Sequence, residues 1–502
     1  MQDAENKDIN VLDTYEIDVH GSQTNIRIYT SKNEFIPIYD VTYEGISLAT
    51  KLLLFSLRPQ IISLVPLDIS RIRESEYMEE VKNRYIEAVN ILIDKYLPNT
   101  GEKLKKVITS FVINMMIGMG DLEVLLADEN LEEIAVNGAK DNIWIFHKKY
   151  QWCKTNIKLQ NEEDIYDKAE QIGRIVGREI NNLSPIMDAE LLDGSRVNAT
   201  LFPISQGGNT ITIRKFSKNP WTMPALIKNH TLNPEMAGLI WECIENEISL
   251  LVSGGTASGK TSLLNAMSIF FPPNRRIISI EETRELTFPN FYQWLPMLSR
   301  PPNPEGKGEV TIYNLMINAM RQRPDIIVVG EIRVGKDAET LFEAIHTGHA
   351  VYGSVHADNS QDTITRMTNP PISIPKILMN ALGGVVVQFR HRMKGIRRTL
   401  EISEVLRSGD VNVYTRWNMR NDTFAQIGDL TRLSETLSLY SGLTKTEIEE
   451  DIKTKAKVLL WMSDNNIMSI DDSGLVISNY YKNKEKVIDI VNNNIKYSID
   501  IF

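Results

Sequence analysis

The stretch that most restricts what this chain can fold into is LLVSGGTASGKTSLLNAM, residues 250–267. Gly254, Gly255, Thr256, Ala257, Ser258, Gly259, Lys260 and Thr261 fit GxxxxGK[ST] in full, with Ser262 directly after them. A strand-like run, ISLLVS, precedes the pattern and a helical run, TSLLNAMSIFF, follows it. That context makes the pattern a phosphate-binding loop. Glycines let backbone N–H groups wrap the phosphates, Lys260 is placed to reach the β- and γ-phosphates, and the Thr261 hydroxyl is placed to hold Mg²⁺. The N-terminus of the following helix adds the positive end of its dipole. The expected ligands are therefore ATP and Mg²⁺. The loop names a fuel and leaves its use to other residues.

Between residues 235 and 405, short apolar runs (ISLLVS, RRIISIE, DIIVVG, AVYGSVHA) alternate with helical stretches. This is the rhythm of an α/β fold with a parallel sheet. The run DIIVVGEIR ends in Glu331, where the carboxyl end of a strand faces the ligand crevice of such a sheet. Many P-loop ATPases carry Asp at the position of Gly330, so the Mg²⁺-side carboxylate here would be Glu331. The run IISIEETREL brings Glu281 and Glu282 to the same edge, with Glu285 just beyond. Hydrolysis needs a group that orients the attacking water, and a carboxylate serves. Which of Glu281 and Glu331 is the base stays open on sequence.

Three of the seven histidines fall in HTGHAVYGSVHADN: His346, His349 and His356. A γ-phosphate sensing or coupling role is expected for His356 and His349, and a structural one for His346; a metal site is the rival reading of the HxxH spacing. The basic cluster FRHRMKGIRR, residues 389–398, reads as a hairpin turn around Lys394-Gly395. It is either solvated or in contact with an acidic partner or an anionic membrane surface. Arg196 and Arg214 lie upstream of the loop. Arginines delivered from a neighbouring domain or subunit commonly neutralise transition-state charge on a γ-phosphate.

At 502 residues the chain has room for about three domains. The expected boundaries are an N-terminal extension at 1–119, an α+β domain at 120–218, a proline-broken linker at 219–234, the nucleotide domain at 235–405 and a small helical C-terminal appendage at 406–502. The net charge of −10 disfavours nucleic acid as a partner. Cys153 and Cys243 lie far apart without a CxxC pattern, which suggests neither a disulfide framework nor a zinc site and fits a reducing cytoplasm. The polar, acidic start of the chain does not read as a signal peptide. The apolar run at 107–120 is too short to span a bilayer and reads as a buried helix.

Together, SGGTASGKTS, SIEETREL, IIVVGEIR and HTGHAVYGSVHADN resemble, in order, the Walker A loop, Asp box, atypical Walker B strand and histidine box of the type II/IV secretion ATPase superfamily. The resemblance covers roughly residues 120–405. Within it, LLADENLEEIAVNG, DAELLDGSRVNA, TITIRKF and RPPNPEGKGEVTI are most similar to the tight-adherence branch, while HKKYQWCKTNI and the long N-terminal extension look more like archaeal pilus or secretion members. Glu282 stands where the family usually has Asp, and the tetracysteine zinc motif of many bacterial type II members is missing. The resemblance implies a RecA-like motor domain beside an α+β N-terminal domain, with Arg196 and Arg214 reaching the γ-phosphate. It further implies a homohexamer at the cytoplasmic face of the membrane, docked under a polytopic platform protein and moving pilin-like subunits indirectly. An archaellum motor is the nearest rival. A RecA-like nucleic-acid motor is more distant, and a small-molecule kinase lacks any visible acceptor-binding element.

Overall fold

The computed structural model describes residues 9–498 apart from 20–21, 33, 44–45, 47, 66–74, 117–118, 192, 217–218 and 303–305. Part of the RPPNPEGKGEVTI stretch therefore lies outside the described residues. The chain divides into two compact units, Met1–Lys218 and Asn219–Phe502.

In the first unit the chain runs through β1 (Ile9–Val19), β2 (Ser22–Ser31), β3 (Ile38–Tyr43), α1 (Leu48–Leu64), α2 (Ser75–Tyr96) and α3 (Glu102–Met116). It continues through α4 (Leu122–Ala127), β4 (Leu131–Asn137), β5 (Trp144–His147), β6 (Gln151–Thr155), α5 (Glu162–Val176), β7 (Ile186–Glu190), β8 (Arg196–Thr200) and β9 (Thr210–Arg214). All nine strands form one sheet in the order β1-β2-β3-β6-β5-β4-β9-β8-β7. The boundary expected at 119 falls inside this unit. The alternation in TNIRIYT buries Ile26 and Ile28 completely on one face. That face needs cover and finds it in the same core as Leu122, Leu125 and Ile145. The join is also polar: the hydroxyls of Tyr15 and Tyr39 both donate to Asp128 Oδ2 at 2.6 Å. The α5 helix starts at an Asn161 cap that accepts from the Asp164 N–H, and it ends at Gly177 in the left-handed conformation.

The second unit opens with α6 (Met223–Lys228) and α7 (Pro234–Glu245), followed by β10 (Leu250–Gly254), α8 (Lys260–Ser268), β11 (Arg276–Glu281), β12 (Gln293–Leu298), α9 (Ile312–Met320) and β13 (Ile326–Ile332). Then come α10 (Gly335–His346), β14 (Ala350–Val355), α11 (Ser360–Thr368), β15 (Gly384–His391), β16 (Ile396–Val405), β17 (Val411–Asn418) and β18 (Thr423–Gln426). The unit closes with α12 (Arg432–Ser441), α13 (Lys445–Asp464), α14 (Ile470–Lys482) and α15 (Lys484–Asn492). Its sheet runs β12-β11-β13-β14-β10-β15-β16-β17-β18, parallel from β12 to β15 and antiparallel beyond. Leaving aside the edge strand β12 and numbering from β10, the other five parallel strands stand in the order 2-3-4-1-5, the RecA-like arrangement the family resemblance implies.

Two stretches differ from expectation. The segment expected to be a linker carries α6, whose Met223, Leu226 and Ile227 are buried in the main core. Residues 406–502, expected to be helical, first add β17 and β18 to the sheet. Their helices then share the core of the nucleotide domain: Trp241 of α7 stacks on Phe270 at 5.2 Å and packs against Tyr480 at 4.7 Å. The cause is α7 itself, which is buried at every position from Met236 to Ile244. A helix apolar on all sides needs cover on all sides, and α13 supplies it.

Candidate functional site

Strand β10 is completely buried, and its register with both neighbours (Ser253 opposite Val355 and Val387) places the loop at the carboxyl edge of the sheet. Glycine is required at two loop positions. Gly254 has φ +153°, and a Cβ there would come within 2.4 Å of both the Gln388 carbonyl oxygen and Ser258 Oγ. Gly259 caps α8 at φ +100°. Lys260 Nζ donates to the Gly254 and Gly255 carbonyls at 3.0 and 3.2 Å, so its ammonium sits over the loop. Thr261 and Ser262 occupy the first turn of α8 and are partly exposed, and Thr256 and Ala257 form the exposed tip.

The parallel register carries the ends of β11, β13 and β14 to the same edge. Glu281 closes β11, Gly330 and Glu331 lie near the end of β13, and His356 follows β14 directly. Because β14 is the immediate neighbour of β10, the His356 segment can be tied to the loop strand: Ser253 Oγ donates to the Ala357 carbonyl at 2.8 Å. Asp358 Oδ1 lies 3.1 Å from where a Cβ on Gly255 would stand.

Glu281 is 3% exposed. Its Oε1 accepts the backbone N–H groups of Glu285 and Leu286 at 2.9 and 3.0 Å. Its Oε2 is buried without a hydrogen-bond partner. Burial pushes this carboxyl up to about 7 despite those two N–H bonds. The same side chain explains Gly330: a Cβ there would stand 3.1 Å from Glu281 Cγ. Any side chain at 330 would press on the Glu281 arm, which would have to give by a few tenths of an ångström. Glu331 is more open, and Arg333 holds its Oε2 through Nε at 2.9 Å and Nη2 at 2.7 Å. Arg333 Nη1 also reaches Glu282 Oε2 at 2.5 Å, so the longer arm of Glu282 is used in this ion pair.

His349 does not join the cluster within this chain. It precedes β14, at the amino edge of the sheet, where its Nδ1 lies 3.0 Å from the Ala344 carbonyl at the end of α10. A six-residue strand separates it from His356, about 20 Å of chain. His346 and His349 of the HxxH spacing belong to no group of three potential metal ligands among the described residues. Among the described residues, the one convergent group of potential ligands is Glu242, Glu245 and Asp451, and it surrounds the Lys455 ammonium. In the first unit, Arg196 and Arg214 face each other across β8 and β9, and Arg214 also faces Glu133 on β4.

Arg333 has no role on sequence alone, and Arg397 enters there only as one member of the basic hairpin. Arg397, from the basic hairpin between β15 and β16, donates through Nε to the Ala257 carbonyl at 3.1 Å. Its neighbour Arg398 turns the other way and pairs with Asp422 at 2.8 Å. Strand alternation at period 2 would have separated these two arginines, but not named the loop as the target of either.

The residues fit a nucleotide with its cation: a glycine cradle whose first glycine has no room for a Cβ, an ammonium over it, and a buried carboxyl oxygen without a partner. The fold and this edge define a P-loop nucleotide-binding protein of the RecA-like class. The family model for type II/IV secretion system proteins matches residues 118–393, more than half of the chain, and the protein belongs to that family. An uncharacterized protein of Methanocaldococcus jannaschii is 39% identical over 352 residues, 68% of this chain and 46% of that one. A Mycobacterium tuberculosis protein provisionally named for conjugal transfer is 30% identical over 63% of this chain and 94% of its own length. The type IV secretion system protein PtlH of Bordetella pertussis is 26% identical over 54% of this chain and 89% of its own. The chain spans about half the length of the first Methanocaldococcus relatives it matches. Among the described residues, no helix is long and apolar enough to cross a membrane.

Proposed function

We propose that this protein hydrolyses ATP and uses the energy to drive pilus assembly or protein secretion through a membrane platform protein. The observation that carries the reading is the convergence of the loop, Glu281, Glu331 and His356 on one sheet edge, in a chain of the type II/IV secretion family. The backbone N–H groups after Gly254 and the Lys260 ammonium hold the β- and γ-phosphates. Thr261 and Glu331 are the residues that would hold Mg²⁺, which when bound offsets charge between the β- and γ-phosphates. Glu281, with a carboxyl near 7, is balanced to orient or deprotonate water. His356 follows the γ-phosphate from the strand beside the loop, and Arg196 and Arg214 serve as transition-state cations. In this reading the protein works as a homohexamer at the cytoplasmic face of the membrane, moves pilin-like subunits only indirectly and needs no nucleic acid.

Lys260→Ala should abolish phosphate release from ATP; turnover at the wild-type rate would refute the site. Arg214→Ala should lower hydrolysis while sparing nucleotide affinity. Transfer of phosphate to an acceptor in place of free phosphate would refute the motor reading.

A further inference from the structure

The basic hairpin 389–398 reaches the phosphate-binding loop of its own chain. Strand β15 is the parallel neighbour of β10, with Gln388 opposite Gly254, so residues 389–398 project past the loop's first glycine. Arg397 Nε donates to the Ala257 carbonyl at 3.1 Å, and Arg397 Cδ lies 3.7 Å from where a Cβ on Gly259 would stand. Arg390 is directly opposite Arg397 on β15, which doubles the positive charge on that face.

The contacted residue is a demanding one. Ala257 has φ +58°, a left-handed conformation that a residue with a Cβ holds only when its surroundings enforce it. The Ala257 carbonyl and the Ser258 N–H belong to one planar trans peptide and point in opposite directions. A guanidinium on the outer carbonyl therefore aims the Ser258 N–H across the loop, where it meets the Gly255 carbonyl at 3.3 Å. That long bond is one a phosphate oxygen can replace.

We propose that Arg397 is a positioning residue of the nucleotide site: it latches the Ala257 carbonyl from outside the loop and so presents the Ser258 N–H to the phosphates of a bound nucleoside di- or triphosphate. This rests on the ATP-binding reading above. It assigns to the basic cluster a role within its own chain, in place of a partner protein or a membrane surface.

The test uses the full chain and compares Arg397→Ala, Arg397→Lys and Arg392→Ala. Arg392 lies at the exposed hairpin turn and serves as the charge control. Arg397→Ala should weaken ATP and ADP binding, measured by calorimetry, about tenfold and raise KM alike, with kcat within threefold and Tm within about 2 °C. Arg397→Lys, which keeps a donor on a flexible arm, should fall between Ala and wild type. Arg392→Ala should match wild type. Affinity within twofold of wild type in Arg397→Ala would overturn the proposal, as would an equal loss in Arg392→Ala. A fall in kcat and Tm with unchanged affinity would also overturn it, by making the residue merely structural. The function reading fails separately, if Lys260→Ala binds and hydrolyses ATP like wild type.

Discussion

The second unit buries charge in two places and treats it in opposite ways. Between α7 and α13, the Lys455 ammonium is completely buried and touches Glu242, Glu245 and Asp451, the last at 2.9 Å. Burial alone would lower its affinity for a proton, and the three carboxylates more than reverse that. Burial likewise raises the Asp451 carboxyl, but the Lys455 charge and bonds from Lys484 and Lys455 win and leave it at about 2. At the sheet edge, Glu281 is nearly as deeply buried, and it is held by two N–H donors with one oxygen left without a hydrogen-bond partner; the Arg284 charge acts on it more weakly than burial does. The first cluster holds the C-terminal helices on the nucleotide domain. The second leaves a carboxyl poorly solvated, and a group left in that condition is available to a ligand.

The sharpest way to break this contrast is Lys455→Met. Removing the cation strands three carboxylates, and unfolding by denaturant should show a loss of about 3–5 kcal/mol. A loss under about 1 kcal/mol would mean the cluster is not a clamp. Glu281→Gln should behave oppositely. The native carboxyl, at about 7, binds its proton more tightly than the unfolded one, near 4.5. Wild-type stability therefore falls as pH rises through that window and levels off above it. Gln does not titrate, so its stability relative to wild type should improve by about 3 kcal/mol between pH 4.5 and 8, while hydrolysis is lost. Parallel stability curves for the two proteins would contradict the raised value. The smallest effect on folding belongs to Arg333→Gln. Its ion pairs are about half exposed, so unfolding should change by no more than about 1 kcal/mol. Hydrolysis should nevertheless fall severalfold, because Glu331 and Glu282 lose the group that holds them. Unchanged turnover would make that pairing incidental.

How much of this was readable in the sequence follows from how local each feature is. The loop from Gly254 to Thr261 and the strands ending at Glu281 and Glu331 are short patterns with their own flanks, so they could be placed before any fold was known. The pairing of β3 with β6 joins residues more than a hundred positions apart, and nothing in IYDVTY specifies QWCKT as its partner. Lys455 stands among Lys453 and Lys457 in a helix rich in charge. Only the packing of α7 selects it for burial. His349 and His356 share an expected role, and AVYGSV is legible as the strand between them; its length puts the two at opposite edges of the sheet.

The close approach of Gly330 to Glu281 also bears on how this site can change over generations. The two positions share one small volume, so the size of one bears on the other. A side chain gained at 330 would require the Glu281 arm to give by a few tenths of an ångström, and atoms lost first at 281 would remove that demand.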